Sequence, residues 1–111
     1  MDKKVLCICW GAHNRSPYLA DFLKEKGYNA GYAGLSPVDK SNRITQKTID
    51  ESDVLITLYP DISKALKDEF NIKEKRLIEL EVQDVDFHLR TEEDVYKDID
   101  RAIKKYLPIK F

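Results

Sequence analysis

Val5-Leu6-Cys7-Ile8-Cys9-Trp10-Gly11-Ala12-His13-Asn14-Arg15-Ser16-Pro17 is the stretch on which the fold turns. Its first five residues form an unbroken apolar run, which reads as a short strand buried on both faces. Trp10 to Asn14 is a tight, mostly small and polar connection. Ser16 suits a helix N-cap and Pro17 the first helical position. Beyond them Tyr18, Leu19, Phe22 and Leu23 share one helical face, and Gly27 supplies a stop.

Working outward, Tyr28–Ala33 reads as a second strand and Gly34–Asn42 as a loop. A short helix is predicted over Ile44–Glu51, and the clearest buried strand over Asp53–Leu58. Pro60 marks the entry to a helix over Asp61–Phe70, with Ile62, Leu66 and Phe70 on one face. Arg76–Val82 reads as the fourth strand, Gln83–Arg90 as a polar loop with two aspartates, and Thr91–Leu107 as a helix carrying Val95, Ile99, Ala102, Ile103 and Tyr106 at helical spacing. Short strands alternating with helices predict an α/β fold: one four-stranded parallel sheet between two helical layers, a three-layer sandwich.

With 111 residues the chain has room for one domain, 1–111, and for a real core without staples. A composition of 42% hydrophobic and 35% charged residues, with the apolar ones in dense runs, is that of a folded globular chain. The formal net charge of −1 gives no general pull toward nucleic acid or acidic membranes. No apolar run approaches a membrane span, and Met-Asp-Lys-Lys leads into a strand and not a signal peptide, so a cytoplasmic location is expected, without nucleic-acid or membrane partners. Nothing in the pattern specifies an oligomeric state. Cys7 and Cys9 are the two cysteines; one residue apart on a strand, they are poorly placed for a bridge, and with two distant histidines they make no zinc site. Neither a metal nor a cofactor is expected.

The chemistry lies in Cys9 to Pro17. A cysteine ends a strand, five residues follow, and an arginine stands at the mouth of a helix. In an open α/β sheet ligands bind at the carboxyl ends of strands. A loop running into a helix N-terminus aims several backbone N–H groups at one point, which suits a tetrahedral oxyanion. The same partial positive charge favours a thiolate at Cys9, making it the candidate nucleophile. Arg15 can hold two phosphate oxygens with its planar fork. Ser16 can donate a hydrogen bond to the sulfur as it departs. Trp10, Gly11, Ala12, His13, Asn14 and Arg15 line the expected phosphate site, Trp10 either as a pocket wall or packed under the loop.

Val5 to Pro17 resembles the phosphate-binding signature of the low-molecular-weight protein tyrosine phosphatases, in which strand, Cys, five residues, Arg, Ser and often Pro follow in order. Ala33-Gly34-Leu35 is similar to the family's Ser-Ala-Gly-Thr turn, and Glu51 to Leu58 to its Ala-Asp strand. The likeness runs along nearly the whole chain, which is shorter than typical members and looks closest to a compact branch of predicted phosphatases. It implies a flavodoxin-like sheet with a phosphate-binding loop after the first strand, and hydrolysis of phosphotyrosine proteins or small phosphoesters through a phospho-cysteine. It also implies a general acid on a late loop, commonly Asp-Pro-Tyr. Here that loop reads Val82-Gln83-Asp84-Val85-Asp86-Phe87-His88. Asp84 is the first choice because it follows the fourth strand most directly, and Asp86 the second, since Asp86-Phe87 mimics the Asp-aromatic pairing. Phe87 is a candidate second wall of the pocket.

Three departures stand out. Ala12 replaces the family's usual Asn, Asn14 replaces its second loop cysteine, and no Pro follows either aspartate. His13 reads as solvent-exposed in preference to a second cation for phosphate, His88 as a neighbour of the acid loop that could tune it, and Tyr59, Tyr96 and Tyr106 as packing residues. The lysine-rich clusters at 24–26, 73–76 and 104–105 read as solvated faces. Three other functions fit the plan in part. A non-catalytic phosphate or phosphotyrosine reader agrees with Ala12 and the altered acid loop. An arsenate reductase would draw on redox thiols downstream, and no cysteine follows Cys9. A cysteine-phosphorylated carrier of a sugar phosphotransferase system would lack the clamp arginine.

Overall fold

Four parallel strands, β1 (Lys4–Cys9), β2 (Asn29–Gly34), β3 (Val54–Thr57) and β4 (Arg76–Glu79), form one sheet in the order β2-β1-β3-β4. The computed structural model describes residues 3–11, 15–37, 39–72, 75–83 and 91–111. Helices α1 (Arg15–Glu25), α2 (Gln46–Asp50), α3 (Pro60–Glu69) and α4 (Glu92–Lys104) follow the strands in turn, with a 3-10 turn at Lys40–Asn42. The expected α/β class and the all-parallel sheet are therefore present.

Crossing direction sorts the helices into layers. The chain steps one way from β1 to β2 and the other way from β2 to β3 and on to β4. Right-handed crossovers then put α1 on one face and α2 and α3 on the other. Contacts agree with this. The Tyr18 ring of α1 stacks on Tyr96 of α4 at 4.1 Å, and its hydroxyl donates to Asp100 Oδ1 at 2.9 Å. On the opposite face, the Gln46 amide of α2 brackets the Asn71 backbone beyond α3, donating to its carbonyl at 2.6 Å and accepting from its N–H at 3.0 Å. Covered on both sides, Val5 to Cys9 and Val54 to Thr57 are buried throughout, which is why these strands read as continuous rather than alternating apolar runs.

Local chemistry accounts for the boundaries. Gly27, at φ +95°, ends α1. Tyr28 N–H reaches back to Leu23 O and Gly27 N–H to Lys24 O, both at 3.0 Å, which together make a Schellman motif. Reciprocal capping boxes start α2, between Thr45 and Thr48, and α4, between Thr91 and Asp94. At the start of α1 the expectation is corrected. The helix begins at Arg15, so Ser16 lies inside its first turn and not at the cap. The fourth strand is also shorter than expected, ending at Glu79. Even so, Leu80 N–H donates to Thr57 O and Val82 N–H to Leu58 O, both at 2.8 Å, so the chain stays against β3 as far as Val82.

The C-terminal tail closes the amino end of the sheet. Ile109 is buried and its N–H donates to the Tyr28 hydroxyl, while Arg76 donates to Lys110 O, both at 2.9 Å. The opposite, carboxyl edge is left for the site. Among the described residues no helix is long and apolar enough to cross a membrane.

Candidate functional site

Strand order locates the cleft before any side chain is considered. Because the connections leave β1 and β3 in opposite directions, the switch point lies between the carboxyl ends of these two central strands. Cys9 is the last residue of β1 and stands at that point. Its carbonyl accepts from Leu35 N–H at 3.1 Å, and the Trp10 carbonyl accepts from Ser36 N–H at 2.8 Å, so β2 supports the exit from the strand. On the other flank Leu58 N–H donates to Ile8 O at 3.1 Å.

The Cys9 Sγ lies 2.9 Å from the Ser16 Oγ, with both residues buried. This contact explains why Ser16 is not a cap: its hydroxyl is turned to the sulfur seven residues earlier. Arg15 is the first residue of α1 and is only 4% exposed. A buried guanidinium needs partners, and its Nη1 donates to the Val82 carbonyl at 2.8 Å. The sequence offered no sign of that partner, since a backbone carbonyl carries no residue signature. Val82 thereby ties the root of the late loop to the mouth of α1. The next residue, Gln83, donates from Nε2 to the Tyr59 hydroxyl at 3.4 Å, a long contact just after β3. Tyr59 therefore joins the rim of the site as well as packing on the core.

Trp10 directly follows β1. It is 37% exposed, and its Nε1–H donates to Asp61 Oδ2 at 2.9 Å, in the first turn of α3. Asp61 was legible in the sequence only as an acidic residue near a helix start. Gly11 follows Trp10 on the partly exposed turn. Ala12, His13, Asn14, Asp84, Asp86, Phe87 and His88 lie outside the described residues. The structure thus brings Cys9, Trp10, Gly11, Arg15 and Ser16 to one edge of the sheet, together with Val82 and Gln83, which precede Asp84.

The two thiols are both buried and differ in position, Cys9 at the strand end and Cys7 two residues inside it. Cys7 is fully buried in mid-strand, and burial first, then the neighbouring Cys9, pushes its thiol well above the ordinary range. A thiol so placed is inert. Neither cysteine is in a disulfide. Among the described residues no group of three or more His, Cys, Asp or Glu side chains is arranged to hold a metal.

No protein-family model matches the chain, and no curated protein matches it in sequence. Its backbone, however, matches solved tyrosine phosphatases over nearly its whole length. The tyrosine phosphatase Wzb from Escherichia coli K30, in complex with phosphate, superposes with a TM-score of 0.77 at 18% identity, covering 96% of each chain. A protein tyrosine phosphatase from Entamoeba histolytica, solved as a product-state mimic, reaches 0.79 at 16% identity over 96% of this chain and 94% of that one. The low-molecular-weight protein tyrosine phosphatase from T. tengcongensis gives 0.65 at 16% identity, over 94% of this chain and 99% of that one. The chain has the low-molecular-weight protein tyrosine phosphatase fold. Within that fold Cys9 ends the first strand and Arg15 opens the first helix.

Proposed function

We propose that the protein hydrolyses phosphomonoesters, phosphotyrosine above all, through a phospho-cysteine intermediate on Cys9. The observation that carries this reading is the pairing of Cys9 Sγ with Ser16 Oγ at 2.9 Å, beside a buried Arg15, at the switch point of a parallel sheet. The Cys9 thiolate attacks phosphorus while Arg15 holds two equatorial oxygens, and the phosphorus–oxygen bond to the leaving group breaks. A carboxylic acid on the loop after Val82 protonates the departing oxygen. The resulting carboxylate then takes a proton from water, which attacks phosphorus and breaks the phosphorus–sulfur bond. Ser16 donates to the sulfur as it regains its charge. The reading sets this thiolate chemistry in a reducing compartment such as the cytoplasm.

The structurally similar Wzb was solved in complex with phosphate, which supports a phosphate ligand for a chain of this fold. Position supports Cys9 over Cys7 as the nucleophile: Cys9 ends β1 with its Sγ 2.9 Å from the Ser16 Oγ, whereas Cys7 sits in mid-strand. Iodoacetate at mildly acidic pH is expected to label Cys9 preferentially, with inorganic phosphate protecting it. Peptide mapping that finds the label on Cys7 would sink the assignment.

Hydrolysis of p-nitrophenyl phosphate by the wild type, and its loss in Cys9→Ser, is the direct test. If the wild type binds phosphate and turns over no substrate, the non-catalytic reader replaces the enzyme. Turnover retained in Cys9→Ser would remove the phospho-cysteine step.

A further inference from the structure

Trp10 is held from both sides. Its carbonyl accepts from Ser36 N–H on the β2 flank at 2.8 Å, and its indole N–H donates across the sheet edge to Asp61 of α3 at 2.9 Å. Despite these anchors the side chain remains 37% exposed, at the residue directly after Cys9. An indole whose single donor is already engaged cannot offer that donor to a phosphoryl oxygen. What it presents is its ring. The Asp61 carboxylate is itself unsuited to touch a phosphate dianion; in the first turn of α3 it accepts from the indole N–H.

We propose that Asp61 is a positioning residue that holds the Trp10 ring as a fixed platform for an aromatic leaving group, favouring aryl over alkyl phosphoesters. The inference rests on the phosphomonoester reading above and adds to it the origin of aryl selectivity. A loose surface tryptophan would lose rotamer freedom when a ring stacked on it, whereas a ring already immobilised does not. Offset stacking then adds to affinity only where the ligand carries a ring.

Trp10 is the sole tryptophan of the chain, so its fluorescence reports on this position alone. The test measures binding of phenylphosphonate and methylphosphonate, neither of which is hydrolysed, to wild type, Asp61→Ala and Asp61→Asn. In Asp61→Ala the preference for the phenyl ligand is expected to fall about three- to tenfold, the scale of one hydrogen bond. Asp61→Asn retains an oxygen that can accept from the indole and is expected to keep the preference. A role confined to the helix end would lower the melting temperature in both variants and leave the phenyl-to-methyl ratio in place. An unchanged ratio in folded Asp61→Ala therefore overturns the inference. Should Asp61→Ala fail to fold, Trp10→Phe breaks the same bond from the other end while keeping a ring. Calorimetry should then show the same drop, and an unchanged ratio is again fatal. Binding of both phosphonates without the drop defeats only the role of Asp61. Failure of both to bind defeats the phosphomonoester reading and this inference with it.

Discussion

Lysine in place of Arg15 is expected to lower turnover of p-nitrophenyl phosphate by about two orders of magnitude or more, the scale of removing an oxyanion donor. Arg15 opens α1, is 4% exposed and donates to the Val82 carbonyl at 2.8 Å. A planar fork can keep that contact and still meet two phosphate oxygens in one plane. An ammonium is a compact, strongly hydrated point charge that cannot do both. The substitution therefore weakens the clamp and releases the root of the late loop together. Steady-state kinetics, with phosphate as a competitive inhibitor, read the first effect, and a thermal melt reads the second. Near-normal turnover in a folded Arg15→Lys protein would place Arg15 outside the site.

Asp84→Asn is the second large effect, an expected loss of roughly 10²–10⁴-fold on phenyl-type substrates, the usual range for a positioned acid. The thiolate and guanidinium stabilise charge, but neither can protonate the leaving oxygen. Asp84 itself lies outside the described residues. Support for it comes from the chain that leads there. Val82 is fixed by Leu58 O and by Arg15, and Gln83 reaches Tyr59, so the described chain as far as Gln83 runs beside Arg15. The loss should shrink with very good leaving groups, which need less protonation. Asp86→Asn is expected to be mild. The reverse pattern would exchange the two roles and leave the mechanism intact. If neither substitution matters with a poor leaving group, the loop supplies no acid and the reader hypothesis gains.

The sequence alone determined the class and the order of elements. Buried parallel strands announce themselves as continuous apolar runs such as Val5 to Cys9, and helices as repeated faces such as Val95, Ile99 and Ile103. Both signals are local, so a single chain suffices to read them. Ends were read less well. The cap signal at Ser16 was real as local chemistry, but it lost to a hydrogen bond with Cys9, which only the packed strand brings within 2.9 Å. Arg76 to Val82 ran as one strand in the pattern, whereas regular pairing stops at Glu79 and two further hydrogen bonds carry the chain to Val82. The partners of the site came only from tertiary structure. Asp61 meets Trp10 from 51 positions away and Val82 meets Arg15 from 67, because a parallel sheet gathers the carboxyl ends of strands distant in sequence at one edge.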